Sequence, residues 1–88
     1  MLGGYALQHI ISQLEQIVIK LYRLEIHEAI TTWNSVFEEL ALVVEEIKNR
    51  DNIIEILKII ATTIENKDYI LMADLIRYEL LQFVEEVE

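Results

Sequence analysis

Neither cysteine nor proline occurs in this 88-residue chain, and its only two glycines stand side by side at positions 3 and 4. Without cysteine there is neither a disulfide framework nor a thiolate metal site. From Tyr5 onward the two strongest backbone breakers are missing, which favours helix over turn-rich β structure. Basic residues are scarce as well, 7 against 16 acids, for a formal net charge of −9. A surface of that sign repels phosphate backbones and anionic lipid headgroups, so direct binding to nucleic acid or to a membrane surface is disfavoured, while a basic protein partner is not. Long apolar runs are absent too. No stretch approaches the roughly 18–20 uncharged apolar residues that span a bilayer. The opening "MLGGYALQHIISQL" has no basic stretch of the kind that begins a secretory signal. The expected setting is the cytoplasm.

What the chain does have is apolar side chains, 53% of its residues, and a mean hydropathy of +0.29. A single domain of this size, taken as residues 1–88, has much surface for its volume. It is therefore expected to hold more apolar surface than its own fold can cover.

The apolar residues fall at helical spacing. Leu7, Ile10, Leu14, Ile17, Leu21 and Leu24 advance in alternating steps of three and four, the seam of one helix. Continuing the phase would require apolar residues at 28 and 31, where Glu28 and Thr31 stand. A second seam starts out of phase with Ile26, Ile30, Trp33, Phe37, Leu40, Val44 and Ile47, so a turn is predicted near residues 24–28. In "KNRDN", Lys48 and Arg50 suit a helix C-terminus and Asp51 suits the next N-cap. A third seam follows in Ile53, Leu57, Ile60 and Ile64, and "ENKD" repeats the punctuation, with Lys67 closing one helix and Asp68 capping the last. The last seam is Tyr69, Ala73, Ile76, Leu80, Phe83 and Val87. Four helices with short connections predict an all-α, antiparallel four-helix bundle with up-down connectivity, or two stacked helical hairpins.

The last helix carries a second stripe. Leu71, Leu75 and Tyr78 lie nearly opposite its main seam, and in the third helix Ile56 and Ile59 broaden the apolar face. Contiguous apolar surface of this kind usually marks a contact with a partner. Asp74 stands three residues before Arg77 and four before Tyr78, within reach of either on a helix surface. Such charges either form an intrahelical network or rim an interface and set its register.

Chemistry finds less to work with. Glu38 and Glu45 share a helix face, as do Glu39 and Glu46. Magnesium-binding helical pyrophosphatases rely on paired E-x-x-E and E-x-x-D steps, and these four acids complete neither. Di-iron bundles use Glu-x-x-His, but Ala6 and Leu24 occupy the positions three before His9 and His27. Arg23 and His27 fall one residue short of an R-x4-6-H ribonuclease spacing. Ser12 and Ser35 have no evident His–acid partners. Trp33 lies on a seam and reads as core.

The segment "DYILMADLIRYEL", residues 68–80, resembles a C-terminal signature, roughly DYxLLADLLEYEL, of small acidic helical proteins of Gram-positive bacteria. Asp68, Tyr69, Ala73, Asp74, Leu75, Tyr78, Glu79 and Leu80 match, and Arg77 stands where glutamate is usual. The resemblance implies a helical hairpin and a bacterial source. It implies no activity.

The resulting expectation is a non-catalytic protein-interaction module that binds a protein partner, first of all a second copy of itself, through Leu71, Leu75, Tyr78, Asp74 and Arg77. No cofactor, metal, nucleic acid or membrane enters this reading. The alternative is a metal-dependent hydrolase of a phosphorylated small molecule, with Glu38, Glu45 and Asp74 as its carboxylates.

Overall fold

The structure, a computed structural model, describes residues 4–85, with side chains from Leu7 onward. Helix α1 spans Gly4–Tyr22, α2 spans Ile26–Val43 and tightens into a 3-10 turn at Val44–Glu46, and α3 spans Arg50–Glu65. The last helix, α4, is built in series from an α segment Tyr69–Leu75, a π segment Ile76–Leu80 and an α segment Leu81–Glu85. There is no strand among the described residues. The all-α four-helix bundle is therefore realised, in its two-hairpin form. α1 packs closely on α2, α3 packs on α4, and the hairpins join where α1 meets α4; α3 also touches the 3-10 turn. α4 thus runs between α1 and α3, and both its flanks are covered.

Both hairpins reverse by the same device, with no glycine in it. After α1, Leu24 adopts a left-handed conformation at φ 62°, Glu25 N–H donates to the Lys20 carbonyl at 2.9 Å, and Leu24 N–H donates to that of Leu21 at 3.0 Å. After α3, Lys67 does likewise at φ 57°, with Asp68 N–H to Thr63 O at 2.8 Å and Lys67 N–H to Ile64 O at 3.1 Å. These are Schellman stops, which satisfy carbonyls that a helix end leaves open. Leu24 was expected on the first seam. The stop instead leaves it 70% exposed. Asp68 caps α4 as anticipated, its Oδ1 accepting from Leu71 N–H at 3.3 Å.

Between α2 and α3 the expectation needs correcting. α2 ends at Val43, earlier than its seam suggests, and Ile47 takes an extended conformation. Leaving the helix there lets Ile47 bury itself. As a result Lys48 falls in a turn and Arg50 begins α3, where neither completes the end of α2. Asn49, not Asp51, occupies the N-cap position, and its amide donates to the Phe83 carbonyl at 3.5 Å. Asp51 lies inside the first turn, where its charge still opposes the helix dipole.

One continuous core runs through all four helices, with Leu14, Ile17, Leu21, Leu40, Ile53, Ile60, Met72, Ile76 and Leu80 fully buried. The core line of α2 is Ala29, Trp33, Val36 and Leu40. Phe37, assigned to the seam by spacing, is instead partly exposed and tilts against Trp33 with ring centroids 6.0 Å apart. Buried Thr63 donates its hydroxyl to the Ile60 carbonyl at 2.6 Å, so this polar group is paired. In α4 the wide π turn puts an extra residue into the circuit. Consecutive Leu80 and Leu81 are both buried, and the buried line continues to Val84, while Phe83 is only half-buried. Val87, assigned to the same seam, lies outside the described residues.

Candidate functional site

The face of α4 that points away from the core is where the sequence placed its second stripe. Leu71 is 44% exposed and Tyr78 58%, whereas Leu75 is half-buried against the core. Two of the three stripe residues therefore meet solvent, and the third belongs partly to the α4 packing. Ile70, which spacing did not single out, is exposed beside them. Its signal was available, since Ile70 stands four residues before Asp74 on the same side of the helix.

Across the α1–α4 seam the surface continues. Ile19 and Tyr22 are exposed on α1, and a shallow groove of about 430 Å³ runs between the helices, lined by Glu15, Val18, Ile19, Tyr22, Arg77 and Leu81. The Tyr22 hydroxyl donates to Asp74 Oδ1 at 2.6 Å, fastening the end of α1 to the middle of α4. Arg77 lies over the ring of its neighbour Tyr78, with the guanidinium carbon 5.0 Å from the ring centroid, a geometry that favours both partners. Sequence reasoning offered Asp74 only the partners Arg77 and Tyr78. The hydroxyl it holds lies 52 positions away, and no local spacing rule reaches that far.

This arrangement affects Tyr22 itself. Its pKa is raised above the ordinary tyrosine value, first by the hydrogen bond to Asp74 and then by burial, with Arg77 opposing. A raised folded value means that the neutral phenol is the form the fold favours. Its stabilisation is complete below the unfolded value of about 10 and is lost as pH rises through the higher folded value. Tyr22→Phe should cost about 0.5–1.5 kcal/mol at neutral pH, the net worth of an ordinary hydrogen bond. In paired urea melts, the gap between wild type and variant should stay constant up to about pH 10 and narrow above it. A gap that stays flat throughout would mean that folding does not raise the Tyr22 pKa in solution.

The carboxylates of the alternative reading are not brought together. Glu38 is exposed on α2, Glu45 lies in the 3-10 turn 3.1 Å from Arg50 Nε, and Asp74 is engaged with Tyr22. Among the described residues no group of three or more histidine, aspartate or glutamate side chains is placed to hold a metal ion. Glu39 comes within 3.6 Å of His9 Nε2 and bridges α1 to α2. No helix among the described residues is long and apolar enough to cross a membrane. On α2, Leu42 is 83% exposed, but singly exposed apolar residues are ordinary on protein surfaces.

Fold and surface together describe a small acidic helical bundle with an apolar strip along one helix and a charged pair within that strip. The chain belongs to the family described as Domain of unknown function (DUF8042), whose model matches residues 5–88. No curated protein and no solved structure is detectably similar to it.

Proposed function

We propose that the chain is a non-catalytic protein-interaction module that associates with a second copy of itself through the outer face of α4 and the adjoining edge of α1. The observation that carries this reading is the continuity of Ile70, Leu71 and Tyr78 on α4 with Ile19 and Tyr22 on α1, all exposed and tied at their junction by the Tyr22–Asp74 hydrogen bond. Covering such residues stabilises an assembly by about 25 cal/mol per Å² of apolar area removed from water. Part of that is offset by the cost of association. Tyr78 of this face stands in the π segment, and π segments recur at functional positions in helices. Its proposed setting is the cytoplasm.

The test is solution mass as a function of concentration, by size exclusion with light scattering. The expected result is a mass that rises from 10.4 kDa towards twice that value as concentration increases. A mass that stays at the single-chain value up to about 1 mM, where association is worth only about 4 kcal/mol, contradicts the proposal.

A further inference from the structure

The proposed self-association leaves open how two copies lie against each other, and the order of residues along the face of α4 supplies an answer that rests on that reading. From its N-terminal end the face presents apolar Ile70 and Leu71, then the acid Asp74, then the base Arg77, then Tyr78. Read in the opposite direction the order becomes apolar, base, acid, apolar. A parallel pairing sets like on like, Asp74 against Asp74 and Arg77 against Arg77, and like charges facing each other oppose association. An antiparallel pairing about an axis near residue 75 sets Leu71 of each copy against Tyr78 of the other and Arg77 of each against Asp74 of the other. The same crossing directs Lys67, in the turn before α4, towards Glu85 near its end, both of them exposed.

We infer that the chain forms a two-fold symmetric dimer in which the α4 helices cross antiparallel, with reciprocal Arg77–Asp74 pairs fixing the register. A two-fold interface must be self-complementary, each contact occurring twice, and this face meets that condition in both its apolar and its charged residues. The acceptor capacity needed is present. Asp74 Oδ1 takes the Tyr22 hydroxyl, and a carboxylate has further lone pairs for a second donor. The π turn serves the same geometry, because a wider turn brings Tyr78 more nearly into line with Asp74 than an α turn does. In a chain with 16 acids and 7 bases, a second copy that offers its own arginine to each aspartate also relieves part of the repulsion between two anionic surfaces.

The experiment exchanges the charges. Asp74→Arg alone places arginine opposite Arg77, and Arg77→Asp alone places aspartate opposite Asp74, so each variant should self-associate at least tenfold more weakly than wild type. An equimolar mixture of the two should recover a heterodimer, seen by native mass spectrometry, since both of its cross pairs are then complementary. The chain has no cysteine, so Leu71→Cys and Tyr78→Cys, at positions exposed in the single chain and opposed to each other in the proposed dimer, give a second readout. The mixture should form disulfide-linked dimers at least tenfold faster than either variant alone. A dimeric wild type in which each cysteine variant crosslinks best with itself, or in which the charge variants recover nothing on mixing, overturns the antiparallel register and leaves self-association standing. A wild type that is monomeric throughout overturns both.

Discussion

Replacing Leu71 and Tyr78 together by lysine should leave the helical circular-dichroism signal and the thermal unfolding of the isolated chain nearly unchanged, and should abolish its self-association. Both side chains are exposed in the single chain, so their removal opens no cavity, and surface substitutions of this kind usually change stability by no more than about 0.5 kcal/mol. In the proposed dimer they lie at the centre, where each copy contributes both. The change therefore removes four apolar side chains, the two reciprocal Leu71–Tyr78 contacts, and puts four ammonium groups into a desolvated contact, which costs far more than a rim position does. Analytical ultracentrifugation at a concentration where wild type is dimeric checks the first half, and a thermal melt checks the second. If the double variant unfolds instead, the stripe is interior packing and the interface lies elsewhere.

The opposite pattern is expected of Leu14→Ala. Leu14 is fully buried midway along α1, the helix that packs on both α2 and α4. Truncating a leucine in such a place costs about 3 kcal/mol, from lost transfer energy and from the cavity left behind. For a domain of this length total stability is on the order of 4–13 kcal/mol, so one substitution removes a large share of it. The melting temperature should fall by about 15 °C, since a domain of this size loses roughly 4–8 °C per kcal/mol. Self-association should fail only in step with folding. A fall of less than about 3 °C, below the range that a buried leucine commands, would show that α1 is not clamped between the hairpins in solution.

The contrast between these two variants separates what the sequence made legible from what it did not. Steps of three and four placed Leu7, Ile10, Leu14, Ile17 and Leu21 in the core, and all five are buried. Asp68 was readable as a cap because aspartate before an apolar run has one obvious use, and its side chain accepts the expected bond. Lys67 was readable as a helix end, but not its left-handed backbone, because lysine carries no conformational mark as glycine does. Most of the misplaced residues share one cause. A spacing rule assumes uninterrupted α geometry. The early exit of α2 at Val43 undid the roles given to Lys48, Arg50 and Asp51, and the π segment of α4 moved the buried line from Phe83 to Val84. Phe37 failed for another reason. α2 faces its neighbours through Ala29 and Val36, and a small alanine gives no hint of burial in a hydrophobic count.

The surface was legible in outline only. Leu71 and Tyr78 were identified, and Asp74 and Arg77 were placed beside them. Ile19 and Tyr22, which extend the face onto α1, were not, because they lie off the seam of a helix that otherwise looks conventional. Their membership depends on how α1 and α4 are set side by side, which is tertiary information. The Tyr22–Asp74 bond is the clearest example.

The central claim is that the outer face of α4 is covered by the same face of another copy, and a dilution series of methyl and aromatic NMR spectra tests it most directly. As concentration falls, the signals of Ile19, Tyr22, Ile70, Leu71 and Tyr78 should shift together along one binding curve, while those of Leu42 and Phe37, exposed on α2, stay in place. Spectra that do not change with concentration, or shifts that gather on α2 instead, would contradict it.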